Sequence, residues 1–390
     1  MKIEAIALRE IHMRLKSPFE TSFGTIENRR ILLVELVADG ASGWGEVTAL
    51  ETPAYNAETT DTAWHVISDF LAPSLVGKSV GGASELPSLM NHIRGHEMAK
   101  SGLENALWDA EARLKGLPLS KHLGGTMREI SSGVSLGIRE NPRSIVEAVE
   151  EELRSGYQRI KLKIKPGKDH EFVAAVRKEF PKILLSVDAN SAYGLDDATH
   201  LKKLDEFDLL MMEQPLSWDD IYDHSKLQAQ IQTPICLDES IRNTRHALTA
   251  IDLKSCQIIN IKLGRVSGHT EAQRMQAACR ERGIPVWCGG MLESGVGRAH
   301  NIAMSTLPGF SLPGDVSASQ RYWDEDIIEP MVEVTSNGTI RVPDTPGLGY
   351  TVKRDRVEKL TVRCNQWNGA VPRGTKTGTR ASVERCDVIS

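Results

Sequence analysis

Residues 160–167 read IKLKIKPG, with apolar residues alternating with lysines. A two-residue period of this kind predicts a β-strand. The chain around it alternates short strands with longer helices, which predicts a parallel sheet covered by helices. Strands of such sheets are normally apolar on both faces. Packing alone therefore does not explain a row of lysines on one face of this strand.

From about residue 130 onward, the sequence predicts eight strands separated by helical segments, and hence an α/β fold of the (β/α)8-barrel type. The alternative is an open doubly wound sheet, but eight strands and the lack of a Gly-x-Gly-x-x-Gly turn favour the barrel. The predicted strands are 130–138, 159–164, 184–189, 209–213, 234–238, 258–263, 285–289 and 310–314. Helical segments are predicted between them, such as 142–155 and 269–282.

The remaining segments flank this barrel. Residues 1–125 read as an α+β module with strands at 2–15, 30–38 and 43–47 and helices at 57–76 and 98–115, and residues 126–329 read as the barrel domain. Residues 330–355 read as a hairpin and a loop that return to the N-terminal module. Residues 357–390 show no sustained apolar period, so we expect a poorly ordered tail.

Charge, apolar runs and cysteine content limit the kinds of partner and location that the sequence supports. The chain has 390 residues, 47 basic and 52 acidic, and a net charge of −5. This balance gives no argument for a nucleic-acid or membrane partner. We see no secretory signal and no apolar run long enough to cross a bilayer. Six cysteines without a Cys-x-x-Cys pair fit reduced thiols of a cytoplasmic protein.

Charged residues recur where the predicted barrel strands end. Lys163, Asp188, Glu213, Asp238 and Lys262 are separated by 25, 25, 25 and 24 residues. One strand–helix unit lies between neighbours, so the spacing returns the chain to the same rim, one strand over. Active sites of such barrels lie at the rim formed by the carboxyl ends of the strands.

The three acids in this series predict a metal site. Any one alone could be a helix or turn cap. Three brought close together would repel one another unless a cation lay among them. Ligation by oxygen alone suits a hard cation, with Mg²⁺ the default and Mn²⁺ a substitute. Asn190, Gln214 and Glu239, which follow the acids within one or two residues, are candidates to support them.

The lysines predict proton transfer. Lys161 and Lys163 share one face of their strand and point into the barrel, whereas Lys165 borders Pro166 and lies at the solvent edge. Lys262 lies roughly across the barrel from Lys163. We expect a lysine buried near Mg²⁺ and a second lysine to have a lowered pKa and to act as a base toward a carbon next to a carboxylate.

With these residues, the sequence resembles the enolase superfamily in its muconate-lactonising-enzyme subgroup. Within that subgroup it resembles the o-succinylbenzoate synthase / N-succinylamino acid racemase family. The likeness spans about residues 1–355. The stretches that carry it include SPFETSFG (17–24), GWGE (43–46), VDAN (187–190), EQPL (213–216), TPICLDESI (233–241), NIKLGRVSG (260–268) and IPVWCGGMLESGVGRA (284–299).

The resemblance implies roles. Lys163 and Lys262 would be the acid/base pair, Lys161 would tune Lys163, and Asp188, Glu213 and Asp238 would bind Mg²⁺. The N-terminal module would be a capping domain. The residues expected to line the substrate pocket are Phe19, Phe23, Ser135, Asn190, Gly289, Met291 and Glu293. Arg265 resembles an arginine of members that racemise N-acyl amino acids; its alternative is a surface arginine at a helix start.

Two departures narrow the activity. Dipeptide epimerases of the subgroup carry Asp-x-Asp on the last strand, where this chain has Asp315-Val316-Ser317, which speaks against recognition of a free α-ammonium group. Mandelate-racemase-like members use a His-Asp pair where this chain has Lys262. We expect dehydration to o-succinylbenzoate, with N-succinylamino acid racemisation as the alternative and both within reach of one site.

Two further alternatives rank lower: muconate cycloisomerisation and a non-catalytic carboxylate-binding barrel, which would not need paired lysines. We also expect a small-molecule carboxylate as the substrate and a homo-oligomeric assembly.

Overall fold

The N-terminal part of the chain is built on an antiparallel sheet. In the computed structural model, which describes residues 1–369 and 382–385, its first strands are β1 (Ile3–Thr21), β2 (Gly24–Ala38) and β3 (Ala41–Val47). Long apolar stretches of β1 and β2 are fully buried. The predicted strands in this region are confirmed, and β1 and β2 run further than predicted because they pair to their shared turn at Thr21 and Gly24.

Helices cover one face of this sheet, and the longest of them lies directly on β3. A bulky residue on β3 would prevent this packing, because a Cβ at Gly45 would lie 2.0 Å from the carbonyl oxygen of Gly102 in that helix. Glycine therefore permits the close helix–strand approach. The helices are α1 (Thr60–Val66), continued by a π-helical turn (Ile67–Leu71) and α2 (Ala72–Leu75), then α3 (Leu86–Met90), α4 (Glu97–Leu114) and α5 (Leu119–His122).

The middle of the chain forms a curled parallel sheet whose strands follow chain order, as repeated β–α units require. Its strands, which follow a short β4 (Glu129–Ser131), are β5 (Gly133–Leu136), β6 (Arg159–Lys163), β7 (Leu184–Asp188), β8 (Met212–Glu213), β9 (Ile235–Leu237), β10 (Ile258–Ile261) and β11 (Val286–Cys288). The α/β fold class and seven of the eight predicted strands are confirmed.

The predicted eighth strand, 310–314, is wrong as a regular strand. This segment instead makes single bridges at its two ends, Phe310 with Val286 and Gly314 with Ser132. Pro313 has no N–H to donate, so the ladder toward β11 is interrupted between Ser311 and Asp315, whose N–H groups donate to Val286 O and Cys288 O. The two bridges nevertheless connect both edges of the sheet, so the rim is continuous.

Helices pack outside the sheet between its strands. They are α6 (Pro142–Arg154), α7 (His170–Glu179), α8 (Ala198–Leu201), α9 (Tyr222–Gln228), α10 (Thr244–Asp252), α11 (His269–Glu281) and α12 (Gly295–Ser305). The helices predicted at 142–155 and 269–282 are confirmed.

The chain then returns toward the N-terminal sheet. Three short strands follow the barrel: β12 (Ile328–Glu329), β13 (Thr339–Arg341) and β14 (Thr351–Val352). β13 pairs with β4, and β14 pairs with β12, so the predicted local hairpin is replaced by longer-range pairing.

The structure also differs from the expected loose tail. Helix α13 (Arg354–Leu360) leads into β15 (Thr361–Asn368), which pairs with β1, and β16 (Ser382–Arg385) pairs with β15. The free edge of β1 supplies backbone partners, and Trp367 is fully buried. The tail expected at 370–381 and 386–390 lies outside the described residues.

Cysteine chemistry departs from the expectation of uniformly reduced thiols, since Cys364 is disulfide-bonded. Cys236, Cys256, Cys279 and Cys288 are free and buried, and Cys386 lies outside the described residues. Within the described residues, no helix is both long and apolar enough to cross a membrane.

Candidate active site

Strand register brings the predicted charged series to one rim. Lys163 is the direct neighbour of Asp188 across β6 and β7, and Asp188 is the neighbour of Glu213 across β7 and β8. Asp238 and Lys262 each follow the last residue of β9 and β10. The spacing of about 25 residues thus equals one step around the sheet.

The first cluster of the site joins two lysines to two acids. Lys163 Nζ lies 2.6 Å from Asp188 Oδ2, and Lys161 Nζ lies 3.2 Å from the same oxygen and 2.7 Å from Glu213 Oε2. Burial raises the pKa of Asp188, but Lys163 and Lys161 more than offset this and hold it below its usual range. Asp188 therefore carries a negative charge in a buried position.

The second cluster lies around Asp238. Lys262 Nζ is 2.6 Å from Asp238 Oδ2, and the Tyr55 hydroxyl donates to Asp238 Oδ1 over 2.9 Å. Arg265 is 1% exposed and forms an ion pair with Asp238. Its Nε also donates to Ile241 O over 2.7 Å. The alternative of a surface arginine is therefore wrong, and Arg265 belongs to the site.

Lysine pKa values differ from the expectation. Burial lowers the pKa of Lys262, but the neighbouring Tyr55, Glu213 and Glu239 raise it by more, so the pKa lies above its ordinary value. Lys161 behaves in the same way, with burial opposed by three nearby carboxylates. The acids alone thus favour ammonium groups.

The carboxylates of Asp188, Glu213 and Asp238 are the kind of oxygen ligand that a hard cation binds, but their side chains are not positioned around a common point. Among the described residues, no three or more His, Cys, Asp or Glu side chains are arranged to hold a metal ion. The acids face lysines and an arginine instead. Burial and Asp188 raise the pKa of Glu213, and one oxygen of Glu239 is buried without a hydrogen-bond partner. This surplus of buried carboxylate oxygen suits a divalent ion.

Supporting residues fix the acids and lysines. Asn190 accepts from Lys163 Nζ over 2.6 Å and donates to Glu239 over 2.9 Å. Gln214 Oε1 accepts from the backbone N–H of Asp238 over 3.0 Å and from the hydroxyl of Ser240 over 3.1 Å. Asn190 and Gln214 therefore link the ends of different strands around the rim.

Two small cavities meet at the lysines, and Lys163, Lys262 and Phe19 line both. The first, about 50 Å³, is mainly apolar and lies beneath the capping domain. Its further lining residues are Thr21, Phe23, Ile26, Leu50, Tyr55, Asn190, Gly290, Met291 and Leu292. The second, also about 50 Å³, is lined mainly by polar side chains and is called the polar cavity; its further lining residues are Ser135, Lys161, Gly290, Leu292, Glu293, Arg298, Asp315 and Tyr322.

The structure thus places most of the predicted pocket residues around these cavities. Gly289 lines neither cavity and instead makes room for the side chain of Lys262, because a Cβ there would lie 2.6 Å from Lys262 Cε. Ser22 of the capping loop donates to Asn190 O over 3.0 Å, which closes that loop over the rim.

Comparison with known proteins agrees with this architecture. Residues 2–124 match the model of the mandelate racemase / muconate lactonizing enzyme N-terminal domain, and residues 144–356 match the enolase C-terminal domain-like model. The chain belongs to the mandelate racemase / muconate lactonizing enzyme family. It is an enzyme of the enolase superfamily.

Its relatives include both activities considered above. It is 53% identical over 362 residues to the o-succinylbenzoate synthase of Geobacillus kaustophilus, covering 93% of this chain and 96% of that protein. It is 45% identical over 362 residues to the N-succinylamino acid racemase of Thermus thermophilus, covering 93% and 98%.

Among solved structures, an enolase-superfamily member from Listeria innocua has a TM-score of 0.91 at 41% identity, covering 94% of this chain and 99% of that one. Homologues in this superfamily typically use a divalent metal.

Three residues of the site, Asp315, Tyr55 and Asn260, were not predicted from the sequence to contact the charged series. Asp315 accepts from Lys161 Nζ over 2.6 Å and from Arg159 Nη2 over 2.7 Å. In this family member the acid at that position is therefore neutralised by the protein. The position of Asp315 directly after the predicted eighth strand is a sequence signal for a site residue. Tyr55 lies in a loop of the capping domain and shows no such signal. Asn260, which donates to Glu213 over 2.7 Å, has the sequence context of an ordinary strand residue.

Proposed function

We propose that this enzyme is an o-succinylbenzoate synthase that removes a proton next to a carboxylate and then eliminates water. The observation that carries the proposal is that Lys163 and Lys262 both line both cavities, beside the buried carboxylate row. The 53% identity to a synthase across nearly the whole chain supports it.

In this mechanism, Lys163 Nζ takes the α-proton as its C–H bond breaks. It then gives the proton to the hydroxyl on the β-carbon as that C–O bond breaks, so water leaves and the ring becomes aromatic. Lys262 remains an ammonium, consistent with its raised pKa, and its charge stabilises the negative charge that develops on the substrate carboxylate.

We propose Asp188, Glu213 and Asp238 as the residues that hold Mg²⁺. The bound ion would supply Lewis-acid charge to the substrate carboxylate. Lys161, held as an ammonium, adds a fixed positive charge beside Asp188 and Glu213. Gln214 and Asn190 keep the acids and Lys163 in position.

The second candidate activity is racemisation of N-succinylamino acids. Two observations favour it: the paired lysines and the buried contact of Arg265 with the Asp238 partner of Lys262. Here Lys163 removes the α-proton from one side and Lys262 returns one from the other. Both reactions begin with the same C–H cleavage, which allows one site to perform both.

Two measurements test the proposal. Dehydration is followed by the ultraviolet absorbance of the aromatic product, and exchange at the α-carbon of N-succinylamino acids is followed by NMR in D₂O. Wild type should dehydrate, and incorporation of deuterium with inversion would add the racemase activity. An enzyme that neither dehydrates nor exchanges contradicts the proposal.

Alanine variants test the roles. Lys163→Ala and Lys262→Ala should each lower turnover by more than about 10³-fold, because each removes a proton-transfer or charge-stabilising group. Lys165→Ala is the matched control: its ammonium is partly exposed, pairs with Glu20 over 3.0 Å, and should retain wild-type rates. Retained activity in either of the first two variants would overturn the assignment. Homo-oligomerisation and a cytoplasmic location stay predictions.

A further inference from the structure

The polar cavity is lined by a buried arginine, Arg298, that the proposed chemistry does not use. Arg298 lies in the first turns of α12 and is 2% exposed. Its Nη2 donates to the backbone oxygen of Glu293 over 2.9 Å, and the guanidinium lies 5.2 Å from the ring centre of Tyr322. Its Nη1 is buried and has no hydrogen-bond partner.

The acids of this cavity do not neutralise Arg298. Asp315 is held by Lys161 and Arg159, and Glu293 Oε1 accepts from Asn301 over 2.9 Å. No described carboxylate forms an ion pair with the Arg298 guanidinium, which contacts a backbone oxygen and an aromatic face. A buried cation without a counter-charge costs free energy unless a ligand supplies one.

The hydroxyl of Ser135 also lacks a hydrogen-bond partner. It lines the same cavity and is buried. A cation and a hydroxyl, both unsatisfied and both in one cavity wall, form a site suited to a carboxylate. Lys163 and Lys262 line the same cavity, so a ligand bound at Arg298 shares the cavity with the proton-transfer groups.

We propose that Arg298, assisted by Ser135, binds the carboxylate at the far end of the substrate's succinyl chain. The inference rests on the proposed function and deepens it. The synthase product and N-succinylamino acids both carry a succinyl chain with a terminal carboxylate. The reacting end lies at the lysines, the succinyl chain fills the polar cavity, and the apolar cavity takes the remaining hydrocarbon.

A larger outer cavity offers a competing site. It has a volume of about 530 Å³ and shares Phe19 and Tyr322 with the polar cavity. Of the two arginines that line it, Arg321 lies on the Tyr322 ring as Arg298 does, but it is already paired with Glu152 and donates to Ser135 O over 2.9 Å. The positive charge of Arg321 is thus balanced, which favours Arg298 over Arg321.

The test compares two substrates that differ only in the distal charge: an N-succinylamino acid and its succinamoyl analogue, in which a neutral amide replaces the terminal carboxylate. Wild type, Arg298→Gln, Arg298→Lys and Arg321→Gln are assayed for α-proton exchange in D₂O and for kcat/KM. The ratio of kcat/KM for the two substrates isolates recognition of the distal charge from any general loss of activity or folding.

Wild type should prefer the succinyl substrate by roughly 10- to 100-fold, the effect of one charge-assisted hydrogen-bonded pair. Arg298→Gln should reduce this preference to less than threefold, and Arg298→Lys should restore part of it. Arg321→Gln should lower both substrates by the same factor and keep the preference.

A preference unchanged in Arg298→Gln, or one lost in Arg321→Gln instead, overturns the inference while leaving the proposed function intact. A wild-type enzyme that neither exchanges N-succinylamino acids nor dehydrates its cyclohexadiene substrate contradicts the proposed function, and the inference falls with it.

Discussion

Replacing Gly289 with alanine should disable the enzyme by displacing Lys262. A Cβ at this position would lie 2.4 and 2.5 Å from the side-chain oxygen and nitrogen of Asn260 and 2.6 Å from Lys262 Cε. The backbone of Gly289 is outside the left-handed region, so the added methyl acts only through these contacts.

The size of the effect follows from these distances. Ordinary contacts of a Cβ lie at 3.4–4 Å, so the neighbouring side chains must move by about 1 Å. Lys262 transfers or stabilises charge at the reacting carbon, and a misplacement of about 1 Å costs on the order of 10²-fold in rate. Asn260 also donates to Glu213 over 2.7 Å, so the same shift disturbs a proposed metal ligand. Overpacking should cost about 1–3 kcal/mol of unfolding free energy.

The assay is kcat/KM for dehydration, measured together with the α-proton exchange rate and urea unfolding. Gly194→Ala is a matched control, because its Cβ would meet only Asp197 Oδ2, at 3.9 Å, and its backbone φ is −108°. The control should stay within about twofold of wild type. A Gly289→Ala enzyme within threefold of wild-type kcat/KM would refute the reasoning that this glycine sets the position of Lys262.

Three further predictions concern the metal, the capping domain and the interface between the domains. Chelation with EDTA should abolish turnover and added Mg²⁺ should restore it; full activity after exhaustive chelation would contradict the proposed metal site. Tyr55→Phe keeps the ring near Lys262 but removes the hydrogen bond to Asp238, so urea unfolding should show a loss of about 1.5 kcal/mol and kcat/KM should fall about tenfold, whereas unchanged values would exclude a role for the hydroxyl. Burial raises the pKa of Glu104, which accepts from the N–H groups of His269 and Thr270, to about 7. Because the folded-state pKa exceeds the unfolded value near 4.5, its stabilising contribution is complete below about pH 4.5 and is lost as pH rises through 7, by about 3 kcal/mol in total. Between pH 4.5 and 7.5, denaturant titrations should therefore show the free energy of unfolding of wild type falling by about 3 kcal/mol relative to that of Glu104→Gln. A difference between the two proteins that stays constant over this range would exclude this titration.

Strand periodicity predicted the series from Lys163 to Lys262 because each barrel unit repeats over about 25 residues. A residue's position within one unit therefore fixes its place on the rim. The same logic placed Lys161 inside and Lys165 at the edge: Lys161 is 2% exposed, whereas the Lys165 side chain is 35% exposed. It overstated the eighth strand, since the apolar pattern alone does not reveal that Pro313 interrupts the ladder toward β11.

The sequence by itself therefore determined the α/β architecture and the residues of the rim, because both depend on local periods that the chain displays directly. Only the tertiary structure decided the partners of those residues. Tyr55 reaches Asp238 from a separate domain, Arg159 and Asp315 meet across 156 residues, and Arg298 Nη1 lies buried with no hydrogen-bond partner among the described residues. These contacts join segments with no common period, so the packing of the capping domain and the curl of the sheet had to bring them together.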